Sequence, residues 1–489
     1  MPRRIRSRVL PFWRDPAEVF GLRHADAEYV VWLDGGDDAS GMSVLGRAHQ
    51  ASELVTAVLD AREGATLGTG RVETVRPVTD TRATAATVRE GAVLELLAEA
   101  LAMPAVELEP GEPAPGPLGW FGWFGYELGA AADGVPVSRA ETPDAAFLFV
   151  DRALVFDHAA RELRLVWLDS DDGAAWADAE ATALGEMIGD DGGTTATGHP
   201  HRSTSTTAPP AAAAWRHDAA RYAELIEACQ AAIVRGDAYQ LCLTNRVDVD
   251  VHPDPAATYL ALRATSPSHH GGFVRFGEVA LLSASPEQFL LVEPSGRVST
   301  KPMKGTRPRD PDPVRDAELR AELLASDKER AENLMIVDLM RNDLGRIAEL
   351  GSVGVEGLLE VEEYAHVHQL VSTVHARIAP PRSVLDVVRA AFPAGSMTGA
   401  PKHSAMSILH GLEQGPRGIY SGAFGYLGVD GGADLAMVIR SIVLAPSGAS
   451  IGTGGGITAL SVPAEEIEET RVKARALLAV LGAASTPAE

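Results

Sequence analysis

The chain has 489 residues, 46% hydrophobic and 22% charged, with a formal net charge of −24 at pH 7. That length predicts two or three domains or one large composite, and the excess of acid excludes a nucleic-acid backbone as the main partner, because phosphate repulsion would act over the whole surface. A small anionic substrate stays compatible, since a few inward-pointing cations and a metal override a distant field. Two cysteines, Cys229 and Cys242, cannot build a disulfide framework, so a reducing cytoplasm is the expected location. The basic start MPRRIRSRVLPFW lacks the apolar centre of a signal peptide, and no apolar run is long enough to span a bilayer.

From the N-terminus, an expected region over 8–187 mixes strand-like runs (AEYVVWLDG, AAFLFVDRALVFDH, ELRLVWLDS) with an Ala/Leu-rich helical segment, REGAVLELLAEALA. GPLGWFGWFGYELG alternates glycine with aromatics, which suits strands packed closely against another sheet, the aromatics serving as core. A linker is expected over 188–215, where Gly, Ser, Thr, Pro and Ala bury too little apolar surface to offset ordering. The region 216–482 follows. RYAELIEACQAAIVRGDA reads as an amphipathic helix ending near Gly236, and YQLCLTNRVDVDV, EVALLSASPEQFLLVEP, DLAMVIRSIVLAP and ASIGTGGGI read as strands. Helices are expected at 326–343, 383–391, 402–412 and 464–482, and PSG at 446–448 is a hairpin turn. The interspersed elements predict an α+β (mixed α/β) fold with largely antiparallel sheets.

Several constellations could carry chemistry. Ser326 with Glu329 three residues on is a helix-start signature, and Glu329 and Glu332 then share one helix face. Pro463 opens a second helix on which Glu466, Glu469 and Lys473 fall at i, i+3 and i+7, again one face. Four such carboxylates are either two solvated faces or a site of hard oxygen donors suited to Mg²⁺. Arg440, in alternation with Val438 and Ile442, lies on an apolar face and needs an anion, either a buried acid or a ligand carboxylate. GTGGGI at 452–457 offers close backbone approach around Gly454, and FPAGSMTGAPK opens a helix. Glu287 follows Pro286, which breaks the strand and aims the next side chain out of the ladder, a seat for a general acid. In KPMKGTRPRD, Lys304 stands beside a Gly-Thr bend, as a surface cation, an anion clamp or a nucleophile.

SASPEQF, PMKGTRPR, KERAENLMIVDLMRNDLGR, FPAGSMTGAPK, GIYSGAFGY, IGTGGGI and EEIEETRVKA occur in the order found in chorismate-utilising enzymes, and the chain resembles that family over 216–482 and more weakly over 8–187. The resemblance implies an anthranilate synthase component I-like fold of two large, mostly antiparallel sheets stacked and flanked by helices. Where anthranilate synthases typically carry alanine (PIAGT) and aminodeoxychorismate synthases lysine (PIKGT), this chain has Lys304. Gln240 replaces the general-base lysine of the water-adding members. The resemblance is therefore to the aminodeoxychorismate branch, with the anthranilate branch and a non-catalytic chorismate-binding subunit as the alternatives.

On that resemblance, Mg²⁺ would be bound by Glu332 and Glu469 with Glu329 and Glu466 in support. Tyr420, Arg440, Lys473, Thr306 and the backbone at Gly454 would hold the substrate. Lys304 would attack C2 of chorismate while Glu287 protonates the departing C4 hydroxyl, and ammonia would then add at C4, giving 4-amino-4-deoxychorismate on the way to p-aminobenzoate and folate. A reactive Lys304 is expected to have a depressed pKa, through burial or a neighbouring cation such as Arg307. No G-x-C-x-G nucleophile elbow is present, which points to a separate glutamine amidotransferase subunit as the ammonia source. The chain departs from the family pattern in two places: SPSHHGGF at 266–273 replaces its NPxPY loop, and Gln369 in VHQLVS stands where many members have histidine. The LLES element linked with tryptophan feedback is not evident near VVWLDGG.

Overall fold

The computed structural model describes residues 3–484 apart from 37–40, 63, 78–85, 104–105, 108–114, 188–210 and 365–366. Most of the expected linker, 188–210, lies outside the described residues. The chain builds two large sheets, of 13 and 12 strands, and each takes strands from both the 8–187 and the 216–482 regions. All named strand pairs are antiparallel except that of Arg3–Val9 with Val106–Glu107. The mixed, mostly antiparallel fold expected from the sequence is the one observed.

Apolar side chains arrange the molecule in four layers. Val31, Phe121, Trp123, Leu148, Val274, Leu281 and Phe424 fill the space between the sheets. The outer face of the 13-stranded sheet is covered through Phe20, Tyr259 and Leu478 from the helices Pro16–Arg23, Pro255–Thr265 and Pro463–Val480. The outer face of the 12-stranded sheet packs against Leu97, Ile336 and Val387 from Val93–Ala100, Asp327–Gly345 and Val384–Ala391. Alternation along the strand Gly119–Phe124 sends Trp120 and Phe124 to the helix side and Phe121 and Trp123 to the other sheet, so all its residues are buried. The aromatics are core, as read. Gly122, however, permits close approach within a sheet: a Cβ there would lie 1.8 Å from the Ala146 carbonyl oxygen on the adjacent strand.

Some boundaries differ from expectation. REGAVLELLAEALA is divided between the strand Thr87–Ala92 and the helix Val93–Ala100. Among the helices not anticipated, Pro16–Arg23, Pro255–Thr265 and Pro313–Ala325 each open on an Asp-Pro pair in which Asp15, Asp254 or Asp312 caps a backbone N–H. The run AAFLFVDRALVFDH is two strands, Ala145–Val150 in the 12-stranded sheet and Arg152–Asp157 in the 13-stranded one. The helix starts at Ser326 and Pro463 fall where the sequence places them, with the Ser326 hydroxyl accepting from the Glu329 N–H at 3.4 Å.

Candidate active site

Two neighbouring sheet-to-sheet steps create the site. The strand Val279–Ser285 belongs to the 13-stranded sheet and Gln288–Val292 to the 12-stranded sheet, so Pro286 and Glu287 form the step between them. The strands Ala433–Met437 and Ser441–Ala445 make the opposite crossing, through Val438, Ile439 and Arg440. The steps are joined: Met437 N–H donates to the Glu287 carbonyl at 3.0 Å, and Ala284 N–H to the Arg440 carbonyl at 3.1 Å. The alternation read through Arg440 is therefore wrong. The strand breaks there, Arg440 has φ +51°, and its side chain is set by the step and not by the pleat. It nevertheless lines the cavity, without an ion pair among the described residues, which removes the structural-pair alternative.

That cavity has a volume of about 540 Å³ and is lined by Glu287, Lys304, Thr306, Tyr420, Arg440, Gly454, Lys473 and the four helix acids Glu329, Glu332, Glu466 and Glu469. All the candidate site residues read from the sequence thus meet in one place. Lys304 enters from the strand Met303–Pro308, which pairs with Val367–Arg377 with a register shift between Met303 and Thr306. Gly305, at φ +81°, makes that bulge, and a Cβ on it would lie 2.8 Å from the Leu323 side chain and 3.0 Å from that of Glu329. The Gly-Thr bend beside the lysine is the device that interrupts the ladder. Thr306 lies opposite Gln369 in the same pair.

Each helix acid has a cation near it. Lys304 Nζ is 3.9 Å from Glu332, Arg307 is 3.9 Å from Glu329, Lys328 is 3.8 Å from Glu466, and Lys473 is 2.7 Å from Glu469. Burial, with contributions from the neighbouring carboxylates, pushes the Glu332 and Glu466 carboxyls up. Burial opposes ionisation of Glu469 too, but Lys473, together with Lys328 and Lys304, outweighs it and the carboxyl falls below its ordinary range. The donor set, four hard oxygen groups of which Glu332 and Glu466 are held up chiefly by burial, has the chemistry of a divalent-cation site. Among the described residues, no three acids stand close enough together to hold a metal ion as placed.

Three sequence expectations require correction. Lys473 is engaged by Glu469 and by the Gly454 carbonyl, to which Nζ donates at 2.8 Å, so only one of its three N–H donors is left for a substrate carboxylate. Gly454 contributes its carbonyl to that contact; a Cβ there would come 2.4 Å from the Leu243 carbonyl oxygen, so close strand approach accounts for the glycine. Lys304 is not depressed. Burial pulls its amine down, but Glu332 foremost, with Cys242, Glu287 and Glu469, more than reverses this, and the net displacement is upward. Arg307 is directed instead at Glu322, 3.0 Å away, and Glu329.

Glu287 has the opposite property. It is buried, and burial raises its carboxyl to about 7, against the pull of Lys304 and of the Ser396 hydroxyl, which donates to Oε1 at 3.0 Å. It is therefore partly protonated at neutral pH, as a general acid must be. Ser396 was missed as a contributor; its position in the turn FPAGSMTG was the available signal. Tyr420 stands over Gly452, where a Cβ would lie 2.0 Å from the ring, and Gln240 lies over Gly456 in the same way, at 2.1 Å. The glycine run serves to admit these side chains as well as any ligand. Cys229 and Cys242 are free and buried, and Cys242 also borders the cavity.

The sequence pattern of a family described as chorismate binding enzyme matches residues 57–479. The aminodeoxychorismate synthase of Streptomyces griseus is 42% identical over 488 residues, 99% of this chain and 65% of the relative. That of Streptomyces pristinaespiralis is 45% identical over 400 residues, 81% and 55% of the two chains. An anthranilate synthase component 1 from Streptomyces coelicolor is 40% identical over 379 residues, covering 76% of this chain and 73% of that one. The chain thus spans between about half and two thirds of the length of these two aminodeoxychorismate synthases. Anthranilate synthase component I from Streptococcus pneumoniae superposes with a TM-score of 0.69 at 26% identity, covering 96% of this chain and 99% of that one.

Proposed function

The chain belongs to the chorismate-binding enzymes, and we propose that it acts as an aminodeoxychorismate synthase component I, converting chorismate and ammonia to 4-amino-4-deoxychorismate for p-aminobenzoate and folate supply. The observation that carries the reading is Lys304, placed by the Gly305 bulge in the wall of a cavity that also holds the buried, partly protonated Glu287. No helix among the described residues is long and apolar enough to cross a membrane. The free cysteines accord with a cytoplasmic enzyme.

The side chains divide the work as follows. Arg440, open to the cavity and without an ion pair among the described residues, and Tyr420, braced on Gly452, orient the substrate carboxylates. The Lys304 amine forms a bond to C2, the ring double bonds shift, and the C4–O bond breaks. Glu287 gives its proton to the leaving hydroxyl, which departs as water. Ammonia then bonds to C4, the double bonds shift back, and the C2–N bond breaks to release the lysine. Mg²⁺ held by Glu332 and Glu469, with Glu329 and Glu466 in support, would supply positive charge for the ring carboxylate. Neutralising those acids would remove the Glu332 and Glu469 contributions that raise Lys304, while burial, which lowers it, would remain. A separate glutamine amidotransferase would supply the ammonia.

The test is to incubate the protein with chorismate, Mg²⁺ and ammonium and identify the product by mass and fluorescence. A non-fluorescent amine retaining the enolpyruvyl group, converted to p-aminobenzoate by an added lyase, is the expected result. Fluorescent anthranilate would overturn the reading in favour of the anthranilate branch. Tight chorismate binding without turnover would make the chain a binding subunit.

A further inference from the structure

The turn that carries Glu287 has an unusual problem of support. Pairing between His270–Phe276 and Val279–Ser285 ends at His270 opposite Ser285, and Pro286 and Glu287 belong to neither sheet. The carbonyls of Ser285 and Pro286 therefore leave the ladder inside the protein, where an unpaired carbonyl is costly. The loop 266–270, at which this chain departs from the family pattern, supplies both partners. The Ser268 hydroxyl donates to the Ser285 carbonyl, and His269 Nε2 lies 3.1 Å from the Pro286 carbonyl oxygen. A carbonyl can only accept, so Nε2 carries the proton. With Glu287 N–H on Ser285 Oγ at 3.4 Å and the Glu287 carbonyl on Met437 N–H, every polar backbone group from the Ser285 carbonyl to the Glu287 carbonyl is engaged.

The His269 ring is itself held. It stacks on Tyr364 with centroids 4.6 Å apart and planes 5° from parallel. The Tyr364 hydroxyl donates to Glu362, whose other oxygen accepts from Lys301 Nζ at 3.0 Å. Glu362 lies on the strand Gly354–Glu363 of the 12-stranded sheet, Tyr364 follows that strand and Lys301 joins Arg297–Thr300 to the strand of Lys304, whereas His269 precedes a strand of the 13-stranded sheet. The stack therefore ties the two sheets together next to the Pro286–Glu287 turn.

We propose that His269, clamped by Tyr364, is a positioning residue that holds the Pro286–Glu287 turn and so fixes the aim of the general acid. This rests on the reading of Glu287 as that acid. Releasing the Pro286 carbonyl lets the turn relax toward solvent. Misplacement of a catalytic group by about 1 Å can cost on the order of a hundredfold in rate, and Glu287, losing burial, becomes a stronger acid. The charged groups acting on Glu287 are Lys304 and Lys473. Among the described residues, Glu362 and Lys301 lie around His269, with His270 edge-on at 5.0 Å.

The experiment compares His269→Ala, His269→Gln and Glu287→Gln in full-length protein by steady-state kinetics over pH 6–9 with chorismate and a constant concentration of free ammonia. His269→Ala is expected to lower kcat tenfold or more with KM for chorismate within about twofold, and to move the alkaline limb of kcat/KM to lower pH. His269→Gln retains an N–H donor and is expected to recover most of the rate and the original limb. An unchanged kcat and limb in His269→Ala, with Glu287→Gln inactive, would overturn the positioning role alone. Equal losses in the alanine and glutamine variants with an unmoved limb would also overturn it, because a general packing role does not distinguish the donor. Full activity in Glu287→Gln would remove the general-acid reading and the inference with it.

Discussion

Removing the Ser396 hydroxyl perturbs Glu287 without touching the nucleophile, which makes Ser396→Ala the most informative substitution in the cavity. The hydroxyl donates to Glu287 Oε1 at 3.0 Å, and both residues are buried, so solvent offers little compensation. The bond stabilises the ionised carboxylate, and its removal favours the protonated form. A hydrogen bond to a charged group is worth about 1.5–3 kcal/mol, which at roughly 1.4 kcal/mol per pKa unit corresponds to an upward displacement of about 1–2 units. The wild-type carboxyl lies at about 7, because burial holds it there against Lys304 and Ser396. Activity limited by a protonated Glu287 should fall about tenfold per pH unit above that point. In Ser396→Ala the alkaline limb of kcat/KM should move toward pH 8–9 by the same arithmetic. The assay is chorismate consumption across pH 6–10 at fixed free ammonia, since protonation of ammonia otherwise mimics the effect. A limb that stays in place, or moves to lower pH, would refute the assignment of Glu287 as the acid whose proton limits the rate.

Other substitutions test the remaining walls. Lys304→Ala should abolish formation of the 4-amino product, and rapid quenching of the wild type should trap a peptide containing Lys304 that carries chorismate less water; an alanine variant forming the same product at an unchanged rate would exclude the covalent step. Gly452→Ala places a methyl 2.0 Å from the Tyr420 ring, and overpacking of this kind costs about 1–3 kcal/mol; KM for chorismate should rise while Gly185→Ala, where a Cβ meets nothing within 4 Å, leaves KM unchanged. Arg417 is buried with two nitrogens on Glu413, at 2.6 and 2.8 Å, so Glu413→Ala, which strands the guanidinium, should cost about 3–5 kcal/mol, read as a lower denaturant midpoint. Asp144 is buried and raised from 3.8 to about 6, chiefly by burial, so its contribution to stability is complete below pH 3.8 and is lost as pH rises through 6. Asp144→Asn should flatten the stability profile between about pH 4 and pH 6, the interval between the two values.

What could be read from the sequence was what depends on neighbours in the chain. The ExxE faces follow from helical spacing once Ser326 and Pro463 fix the starts, and the Gly-Thr bend beside Lys304 already signalled an interrupted strand. Arg440 was placed on the right cavity for the wrong reason. Its alternation with Val438 and Ile442 assumes one continuous strand, and only long-range pairing reveals that Ala433–Met437 and Ser441–Ala445 lie in different sheets. The sign of the Lys304 displacement was likewise out of reach. It is a balance between burial and acids up to 165 residues away in sequence, Glu469 among them, and a local reading sees only Arg307 nearby. Lys473 was identified as a cavity residue, but its engagement with the Gly454 carbonyl needs the helix docked on the strand Gly448–Ile457.

The placement of the chemistry follows from the architecture. Inside either sheet the pleat dictates that a side chain faces the inter-sheet core or the helix layer, and both are apolar. Polar catalytic groups have no favourable position there. Where the chain steps from one sheet to the other, backbone groups leave the ladder and side chains escape the two-fold alternation. Glu287 and Arg440 occupy two such steps, joined by reciprocal hydrogen bonds, and Lys304 gains the same freedom from a bulge. Support that a ladder would give must then come from side chains, which is why Ser268, His269 and Ser396 gather around Glu287. A substitution in these supports should therefore disturb catalysis more than stability, whereas one in the pleated interior should do the reverse.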